Sequence, residues 1–478
     1  MSIQKILFEG FRWTSISSLL NFGLGLLQVV LLVHYLEKSD FAWVAIAGVF
    51  VNIGIQLQQA GINTAIVQHS TLTQIQLSTA YWLNACIGVI LYIIAIILAF
   101  LLSSIYENPI LLPIFMLYSL IFFIQGFTVQ YKALLQKKFY FQTLSIGESI
   151  GGIGGFMFAI ISVMKGLGAY ALVGSYVIRY LVEAIWVVSI GIKLFRPAIE
   201  WNWRSVQSLL DFGGWHIGER LVTHFSSQID ILLIGKLLGS EALGTYDIFK
   251  RVLVRPLNLL NEIFEKVIFP VLSSLKGEFV LQKQLYLNLL AHLGAINFPA
   301  LFFLVIAAEP IVQLIFGVHW VENVAIFRSL CLFCLFHFLL NPVDSLLLAV
   351  GKIRLWLLAN LIFLPFQILF LAIGSQFSLI TTTLANVIAY SIFMIATYYL
   401  IVLPQIRGNP TELIQSIFRP FLITFITTLF LIPFLYFSFP PIMLIPVGIM
   451  FTAIYLLLTY YYNHKFILMI QQFLKIKT

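Results

Sequence analysis

The chain has 478 residues, of which 61% are hydrophobic and 10% are charged, and its formal net charge is +8. A soluble globular domain carries about 25% charged residues, so 27 basic and 19 acidic side chains are too few to give this chain a polar surface. Most of the chain must therefore face lipid, which excludes a soluble cytoplasmic enzyme, a secreted disulfide-rich scaffold and a disordered protein.

Apolar segments of membrane-spanning length follow one another along the whole chain. A bilayer core about 30 Å thick requires roughly 20 apolar residues per helix. Windows of that size predict an all-α polytopic membrane protein with fourteen transmembrane spans, near residues 12–36, 41–64, 78–102, 109–135, 144–164, 167–194, 207–235, 241–272, 288–308, 323–349, 353–375, 378–403, 415–438 and 441–463. The first run follows Lys5 and Arg12 and is too long for the apolar region of a signal peptide, so we interpret it as the first transmembrane helix.

The basic residues predict the orientation of these spans. Most of them fall at the N-terminus and in the loops after even-numbered spans, whereas the loops after odd-numbered spans hold Lys38, Lys165 and Lys236. Lysine and arginine collect in cytoplasmic loops, so both termini are predicted to lie in the cytoplasm. The positive charge therefore marks membrane topology, and no nucleic-acid partner is expected.

Sequence motifs for bound cofactors are absent from the chain. The sequence contains no phosphate-binding G-x-x-x-x-G-K-[ST] loop, no H-E-x-x-H motif and no paired Cys/His spacing for a metal. No predicted loop is long enough for a folded extramembrane domain. We therefore expect neither a cofactor nor a metal, and no enzymatic activity.

The sequence resembles itself at a shift of 201 residues. Leu31–Val33 fall on Leu232–Ile234, and the polar pair Ser39–Asp40 falls on Ser240–Glu241. The repeat predicts an N-terminal six-helix lobe, a linker, a C-terminal six-helix lobe and a final pair of helices with a cytoplasmic tail, over residues 1–195, 196–206, 207–404 and 405–478. Because the linker carries Trp201, Trp203 and Arg204, it is predicted to be an interfacial helix.

Polar residues in the first two spans recur at helical spacing on one face of each helix. They are Thr14, Ser18, Asn21, Gly25 and Gln28 in span 1, and Asn52, Gln56, Gln59 and Asn63 in span 2. Polar residues in membrane helices normally face the protein interior. This uncharged stripe either lines a central cleft, where it hydrogen-bonds sugars or water, or packs helix against helix.

Spans 7 and 8 carry charged residues at membrane depth. In span 7 the polar residues His216, Arg220, Thr223, Ser227 and Asp230 share one face, and span 8 carries Asp247, Lys250, Arg251 and Arg255 before a predicted bend at Pro256. Four cations, Arg220, Lys250, Arg251 and Arg255, outnumber Asp230 and Asp247. They predict a site for a phosphate or diphosphate, and the alternative is an internal salt-bridge network without a ligand.

Several weaker features accompany these spans. Arg179 and Glu183 have the spacing of an ion pair within one helix. His337, Asn341 and Asp344 share a face of span 10, and Asp344 is a candidate for proton or sugar contact. The glycine patch over residues 151–155 and the pair Cys331 and Cys334 are both interpreted as helix-packing features.

Short motifs resemble one known group of membrane proteins. They are Gly10–Thr14, Gln76–Asn84, Ile229–Lys236, Ala242–Tyr246, Phe316–Gly317 with Trp320, and Asn341–Pro342. Together they resemble the polysaccharide-export branch, with its Wzx-like flippases, of the multidrug/oligosaccharidyl-lipid/polysaccharide exporter superfamily. The resemblance covers roughly residues 8–420.

The resemblance implies two six-helix lobes around a central cavity that alternates between inward-open and outward-open states. The implied cargo is a polyprenyl-diphosphate-linked oligosaccharide, moved from the cytoplasmic to the outer leaflet for lipopolysaccharide, capsule or exopolysaccharide synthesis. It also implies a location in the inner membrane of a bacterium, energy from an ion gradient without nucleotide hydrolysis, and a partnership with other polysaccharide-assembly proteins.

Two other functions compete with this one. A cation-coupled multidrug exporter of the same superfamily would be expected to carry an intramembrane carboxylate in span 1, and no acid lies between Glu9 and Glu37. A membrane polysaccharide polymerase or ligase would be expected to carry a large periplasmic loop, which this chain lacks.

Overall fold

A computed structural model describes residues 3–60, 66–67, 72–203, 214–275, 277–430 and 443–462. Within these residues every long regular element is an α-helix, which confirms the predicted all-α polytopic architecture. The long helices are α1 Ile3–Leu32, α2 Lys38–Ala60, α3 Gln74–Ile105, α4 Leu111–Lys137, α5 Phe141–Met164, α6 Ala169–Gly191, α7 Gly214–Leu237, α8 Ser240–Ser274, α9 Phe279–Ile306, α10 Val324–Ala349, α11 Ile353–Ser375, α12 Leu379–Thr397, α13 Pro410–Leu429 and α14 Leu444–Tyr462.

Eleven helices in the described part of the chain are long and apolar enough to cross a membrane. They correspond to α1–α6 and α9–α13, so the protein is a multi-pass membrane protein. Of the other long helices, α14 has an apolar stretch of fewer than eighteen residues, and α7 and α8 carry the charged residues singled out in the sequence. The count of fourteen spans therefore stays a prediction.

The chain divides into two compact units, Met1–Ile248 and Phe249–Thr478, and the boundary falls within α8. This division differs from the predicted lobe boundary at residues 196–206, because α7 packs on α2 within the first unit. The other main contacts of that unit join α3 to α4, α5 to α6, α1 to α5, and α4 to both α2 and α6. The two repeat-based lobes remain a prediction.

The glycine patch of α5 allows its close packing on α6, as predicted. A Cβ atom on Gly151 would lie 2.6 Å from the carbonyl oxygen of Arg179, and one on Gly155 would lie 2.6 Å from that of Ser175. These positions leave no room for a larger residue, so the two backbones touch directly.

The linker after α6 differs from the predicted interfacial helix over 196–206 in its first part, while Trp203 is helical and the rest of the predicted helix lies outside the described residues. Residues 196–202 are not helical, and residues 204–213 lie outside the described part of the chain. The first turns of α3 hold the linker backbone instead: Trp82 Nε1 donates to the Ala198 carbonyl at 2.9 Å, and Ser78 Oγ accepts from the Ala198 N–H at 3.1 Å. Pro197 and these side-chain contacts compete with helix formation.

The second unit is built on α9 and α10. Helix α9 packs on α10 and α13, α12 packs on α10 and α11, and α13 packs on α14. A short helix, Ala308–Phe316, and a 3-10 turn, Val318–Asn323, join α9 to α10. Helix α10 continues through Pro342, and both Cys331 and Cys334 are buried within it, in agreement with the packing interpretation.

Candidate functional site

The charged segment of α8 is buried at two positions. The side chains of Asp247 and Lys250 are 2% and 8% exposed, whereas Arg251 and Arg255 are half-buried. Arg251 and Arg255 lie one turn apart on the same face of α8. Arg251 is rotated by about 100° around the helix axis from Lys250. Lys250 is therefore directed into the second unit, and the two arginines keep accessible surface. Helix α8 runs unbroken through Pro256.

Lys250 belongs to a buried group of aromatic side chains in the second unit. Its Nζ atom lies 5.9 Å from the centre of the Phe333 ring, a cation–π distance. The His337 ring stacks on Phe333 with 5.4 Å between centroids, and Tyr390 contacts both rings edge-on. The structure thus joins α8, α10 and α12 through this group. Asp344, on the same helix as His337, is half-buried.

Asp230 binds α8 through Tyr246, which the sequence analysis named only as part of a family motif and not as a site residue. The Tyr246 hydroxyl donates to Asp230 Oδ2 at 2.6 Å, and both side chains are almost fully buried. The other carboxylate oxygen accepts from the Ile231 N–H at 2.9 Å. Both oxygens of this carboxylate therefore accept hydrogen bonds. The bond from Tyr246 joins α7 to the start of α8. The sequence signal for Tyr246 was its position next to Asp247, at the start of the charged segment of α8.

The remaining charged positions of α7 are incompletely described. The side chains of His216 and Arg220 lie outside the described part of the structure, as does that of Gln59 in α2. The convergence of Arg220 with Lys250, Arg251 and Arg255 on one anion therefore stays a prediction.

The uncharged stripe of α1 makes hydrogen bonds within the first unit. Asn21 Nδ2 donates to the carbonyl of Ser17 in its own helix at 2.9 Å, and Gln28 Nε2 donates to Ser175 Oγ of α6 at 2.9 Å. The Asn21 amide oxygen lies against Gly152, where any side chain would overlap it. Gln28 and Asn21 thus contribute to helix packing, which was one of the two alternatives.

The polar residues on one face of α2 differ in their surroundings. Asn52 is exposed, while Gln56 Nε2 lies 3.0 Å from His224 Nδ1 of α7. His224 was missed by the sequence interpretation because it lies beside, and not on, the polar face assigned to span 7. The Gln56–His224 hydrogen bond is a polar contact between α2 and α7 at membrane depth.

Glu183 forms its ion pair with a residue of another helix. Lys132 Nζ of α4 lies 2.6 Å from Glu183 Oε1, and the Glu183 side chain is 6% exposed. The predicted pair with Arg179 within α6 is not the ion pair that the structure shows. A sequence read one helix at a time could not find Lys132, since it depends on how α4 packs on α6.

The turn between α3 and α4 contacts the end of α7. The Tyr106 hydroxyl donates to the Leu232 carbonyl at 2.9 Å, and Lys236 Nζ donates to the Ile105 carbonyl at 2.6 Å. Burial raises the pKa of the Tyr106 phenol to about 12, so this donor keeps its proton at physiological pH. Glu107 Oε1 lies 3.4 Å from Lys236 Nζ.

The start of α8 contacts the start of α2 at the same end of the first unit. A Cβ atom on Gly244 would overlap the backbone carbonyl of Lys38, so only glycine fits there. Asp40 Oδ1 accepts from the Ala169 N–H at 3.1 Å and thereby binds the first turn of α6. Lys38 and Lys236 belong to the odd-numbered loops, so this end is predicted to be extracytoplasmic. We call the contacts of Tyr106, Lys236 and Gly244 the outer closure.

Metal-ligating residues do not cluster in the part of the chain that the structure describes: no group of three or more His, Cys, Asp or Glu side chains could hold an ion there.

The fold is similar to that of a solved lipid transporter. The structure titled lipid II flippase MurJ, inward closed conformation, aligns with a TM-score of 0.74 at 15% identity, over 95% of this chain and 99% of the other. At this identity the likeness shows the fold, which is the fold that the motifs implied.

Two curated proteins are similar over nearly the whole chain. The lipopolysaccharide biosynthesis protein WzxC of Escherichia coli K12 is 26% identical over 88% of this chain and 86% of its own length. The teichuronic acid biosynthesis protein TuaB of Bacillus subtilis 168 is 29% identical over 88% of each chain. Both names agree with the polysaccharide-export branch that the motifs predicted.

The family model described as polysaccharide biosynthesis protein matches residues 31–325. The match includes α2 to α9 and the start of α10, and so contains Asp230, Asp247 and the cations of α8. Since it covers more than half of the chain, the protein belongs to the polysaccharide biosynthesis protein family.

Proposed function

We propose that this protein is a flippase that moves a polyprenyl-diphosphate-linked oligosaccharide from the cytoplasmic to the outer leaflet for surface polysaccharide synthesis. The names of the relatives refer to lipopolysaccharide and teichuronic acid synthesis, and the similar fold is that of a lipid II flippase. The observation that carries the proposal is the charge on α8, which includes Lys250, Arg251 and Arg255 within a helix of a multi-pass membrane protein.

The diphosphate of the cargo matches the chemistry of these cations. Guanidinium groups donate bidentate hydrogen bonds to phosphate oxygens, and half-buried Arg251 and Arg255 keep surface for such contacts. Lys250 is buried beside Phe333, so its role is to add positive charge and to hold α8 in place. Arg220 stays a cation predicted from the sequence, and the exposed amide of Asn52 suits contact with the sugars.

Alternating access requires the outer closure to open. Cargo leaves toward the outer leaflet only if the start of α8 separates from Lys38 and the end of α7 separates from the turn at Tyr106. Such separation breaks two hydrogen bonds to backbone carbonyls and one close backbone contact, and it leaves the helices themselves intact. The contacts of the outer closure are therefore the proposed extracytoplasmic gate.

The proposed location is the inner membrane of a bacterium, with both termini in the cytoplasm. The distribution of basic residues between alternate loops supports this orientation. Proteins that assemble the polysaccharide chain are the proposed partners, because they would consume the flipped oligosaccharide on the outer face.

The test is transport of a fluorescent polyprenyl-diphosphate sugar by the purified protein in liposomes. We expect the double variant Arg251→Ala/Arg255→Ala to lose at least tenfold in rate, since two charge-assisted hydrogen bonds contribute about 1.5–3 kcal/mol each. The matched control is Arg196→Ala, which removes an exposed arginine of the linker and should transport normally.

Three results would contradict the proposal. The first is full transport by the double variant at normal expression, and the second is glycosyl transfer by the purified protein, which would identify a polymerase or ligase. The third is drug resistance on overexpression in the absence of lipid transport, which would favour the multidrug exporter.

A further inference from the structure

The first unit contains an intramembrane carboxylate for which the flippase proposal has no use. Glu148 is the eighth residue of α5, about 10 Å along the helix from its first residue. Its side chain is exposed although α5 is one of the helices suited to cross the membrane. A carboxylate at such a depth faces protein or water and not lipid, so we infer that the exposed part of Glu148 reaches water.

The second carboxylate of this region differs in its surroundings. Glu183 is buried and is neutralised by Lys132 at 2.6 Å. Glu148 has no basic group within 4 Å among the described residues, and its Oε2 atom accepts from the Ser17 hydroxyl of α1 at 3.1 Å. One acid is thus held by an ion pair, and the other is held by a hydroxyl and reached by water.

Charges on the neighbouring helices surround Glu148 without neutralising it by contact. Lys132 of α4 and Arg179 and Glu183 of α6 act on it electrostatically, and α1 contributes the Ser17 hydroxyl. With Glu148 ionised, these four charged residues sum to zero. With Glu148 protonated, the region carries one positive charge. Proton binding therefore changes the net charge of the region without any change in the Lys132–Glu183 pair.

Helix α1 is attached to its neighbours through few polar contacts. Leu19, Leu27 and Leu31 on its other faces are exposed. The contact with Glu148 is made by Ser17, which is 1% exposed and also accepts from Ser149 Oγ of α5 at 3.3 Å. Farther along α1, Asn21 lies against Gly152 of α5, and Gln28 donates to Ser175 of α6. A hydrogen bond to an ionised carboxylate is about twice as strong as one between neutral groups. Neutralising Glu148 therefore weakens the attachment of α1 to α5.

We propose that Glu148 is a proton-binding residue of the transport cycle, and that its protonation loosens α1 from α5. The reaction is the transfer of one proton from water to the ionised carboxylate, and its reversal returns the proton to water. The inference rests on the proposed flippase function for its physiological meaning, since the proton gradient would then supply energy for lipid transport.

The first experiment does not depend on cargo. Infrared difference spectra of the purified protein in lipid nanodiscs, taken across the titration range of carboxylates, report the carbonyl stretch of each acid that gains a proton. We expect one such band to be missing from Glu148→Gln and present in the control Glu200→Gln, which changes an exposed acid of the linker. Identical spectra for the wild type and Glu148→Gln would overturn the inference.

The second experiment measures lipid transport in liposomes with and without an imposed pH gradient. We expect the wild type and Glu200→Gln to respond to the gradient several-fold, and Glu148→Gln to transport at one rate in both conditions. Glu148→Asp, which keeps the acid, should restore part of the response.

The outcomes separate the two proposals. Transport by Glu148→Gln with the full response to pH, or a wild type driven by a sodium gradient and indifferent to pH, overturns the proton inference and leaves the flippase intact. A wild type that transports no lipid under any gradient overturns the flippase, and the infrared spectra then decide whether Glu148 binds a proton.

Discussion

Helices α2 and α8 occupy equivalent places in the sequence repeat, yet their buried faces differ in chemistry. At the shift that aligns Ser39 with Ser240, Ile46 and Val49 of α2 fall on Asp247 and Lys250 of α8. All four of these side chains are buried, two of them aliphatic and two of them charged. The same position in the repeat is therefore compatible with either an aliphatic side chain or a charge.

The comparison shows that packing alone does not require the charges of α8. Helix α2 fills the corresponding positions with isoleucine and valine, the usual solution for a buried helix face. Charged residues inside a membrane are costly and are normally functional. The asymmetry between the two helices therefore supports a role in cargo binding for the cations of α8, and the predictions below test it from the largest expected effect to the smallest.

The first prediction introduces a lysine into α2 at Val49, the position equivalent to Lys250 of α8. Val49→Lys buries an ammonium group at a site that is 2% exposed, at a cost of about 3 kcal/mol for a lysine at the centre of a membrane helix. We expect low expression and a clearly lower melting temperature of the purified protein in detergent. Val49→Leu is the control for size, and normal stability of the lysine variant would show that α2 can accept a charge as α8 does.

The second prediction concerns the contact between the starts of the two helices. Gly244→Ala places a Cβ atom on the Lys38 carbonyl, so the outer closure cannot form as it does in the wild type. We expect at least tenfold slower lipid transport, with helix content by circular dichroism unchanged. Gly23→Ala adds the same atom where nothing lies within 4 Å and should transport normally. Equal rates for both variants would remove Gly244 from the gate.

The third prediction removes the fastening between α7 and α8. Tyr246→Phe leaves Asp230 Oδ2 without its phenol donor in a buried site, which costs about 1–3 kcal/mol. We expect a lower melting temperature for Tyr246→Phe. The loss of unfolding free energy in the double variant Asp230→Asn/Tyr246→Phe should be smaller than the sum of the losses in the two single variants. Additive effects would mean that the hydrogen bond contributes no coupling energy.

The fourth prediction is a pH effect at the outer closure. The pKa of Tyr106 is raised by burial to about 12, above its ordinary value of about 10, so its contribution is complete below pH 10 and is lost as pH rises toward 12. Tyr106→Phe should lower stability by about 1 kcal/mol near neutral pH. The difference in melting temperature between wild type and variant should then shrink above pH 10, and a constant difference would contradict this assignment.

Hydropathy and spacing predicted the helices well. Each of the fourteen predicted spans overlaps one of the long helices α1–α14, because an apolar run of bilayer length has few other stable structures. The glycine patch of α5 was equally informative, since small residues at helical spacing indicate direct contact between backbones. The family was also recognisable from its short motifs.

The partners of polar side chains were much less predictable. Periodicity places Gln28, Gln56 and Asp230 on helix faces, but it does not show that they bind Ser175, His224 and Tyr246. These pairs depend on which helices are neighbours, and that is a property of the tertiary fold.

The linker prediction was wrong over residues 196–202 for a related reason. Aromatic and basic residues over 196–206 have the composition of an interfacial helix, but composition cannot show that Ser78 and Trp82 bind the backbone of Ala198. The tertiary contacts of α3 thus decided the local structure of a segment more than a hundred residues away in sequence.

The attachment of the linker to α3 has a consequence for how the gene could be divided. The segment after α6 is bound to the N-terminal helices as far as Asn202, whose N–H donates to Thr79 Oγ1 at 3.1 Å. A fragment that ends just after Trp203 would keep all of these bonds, and its complement would begin upstream of α7. Two polypeptides separated there could be produced from separate genes and assembled in the membrane, with the linker already folded on the first.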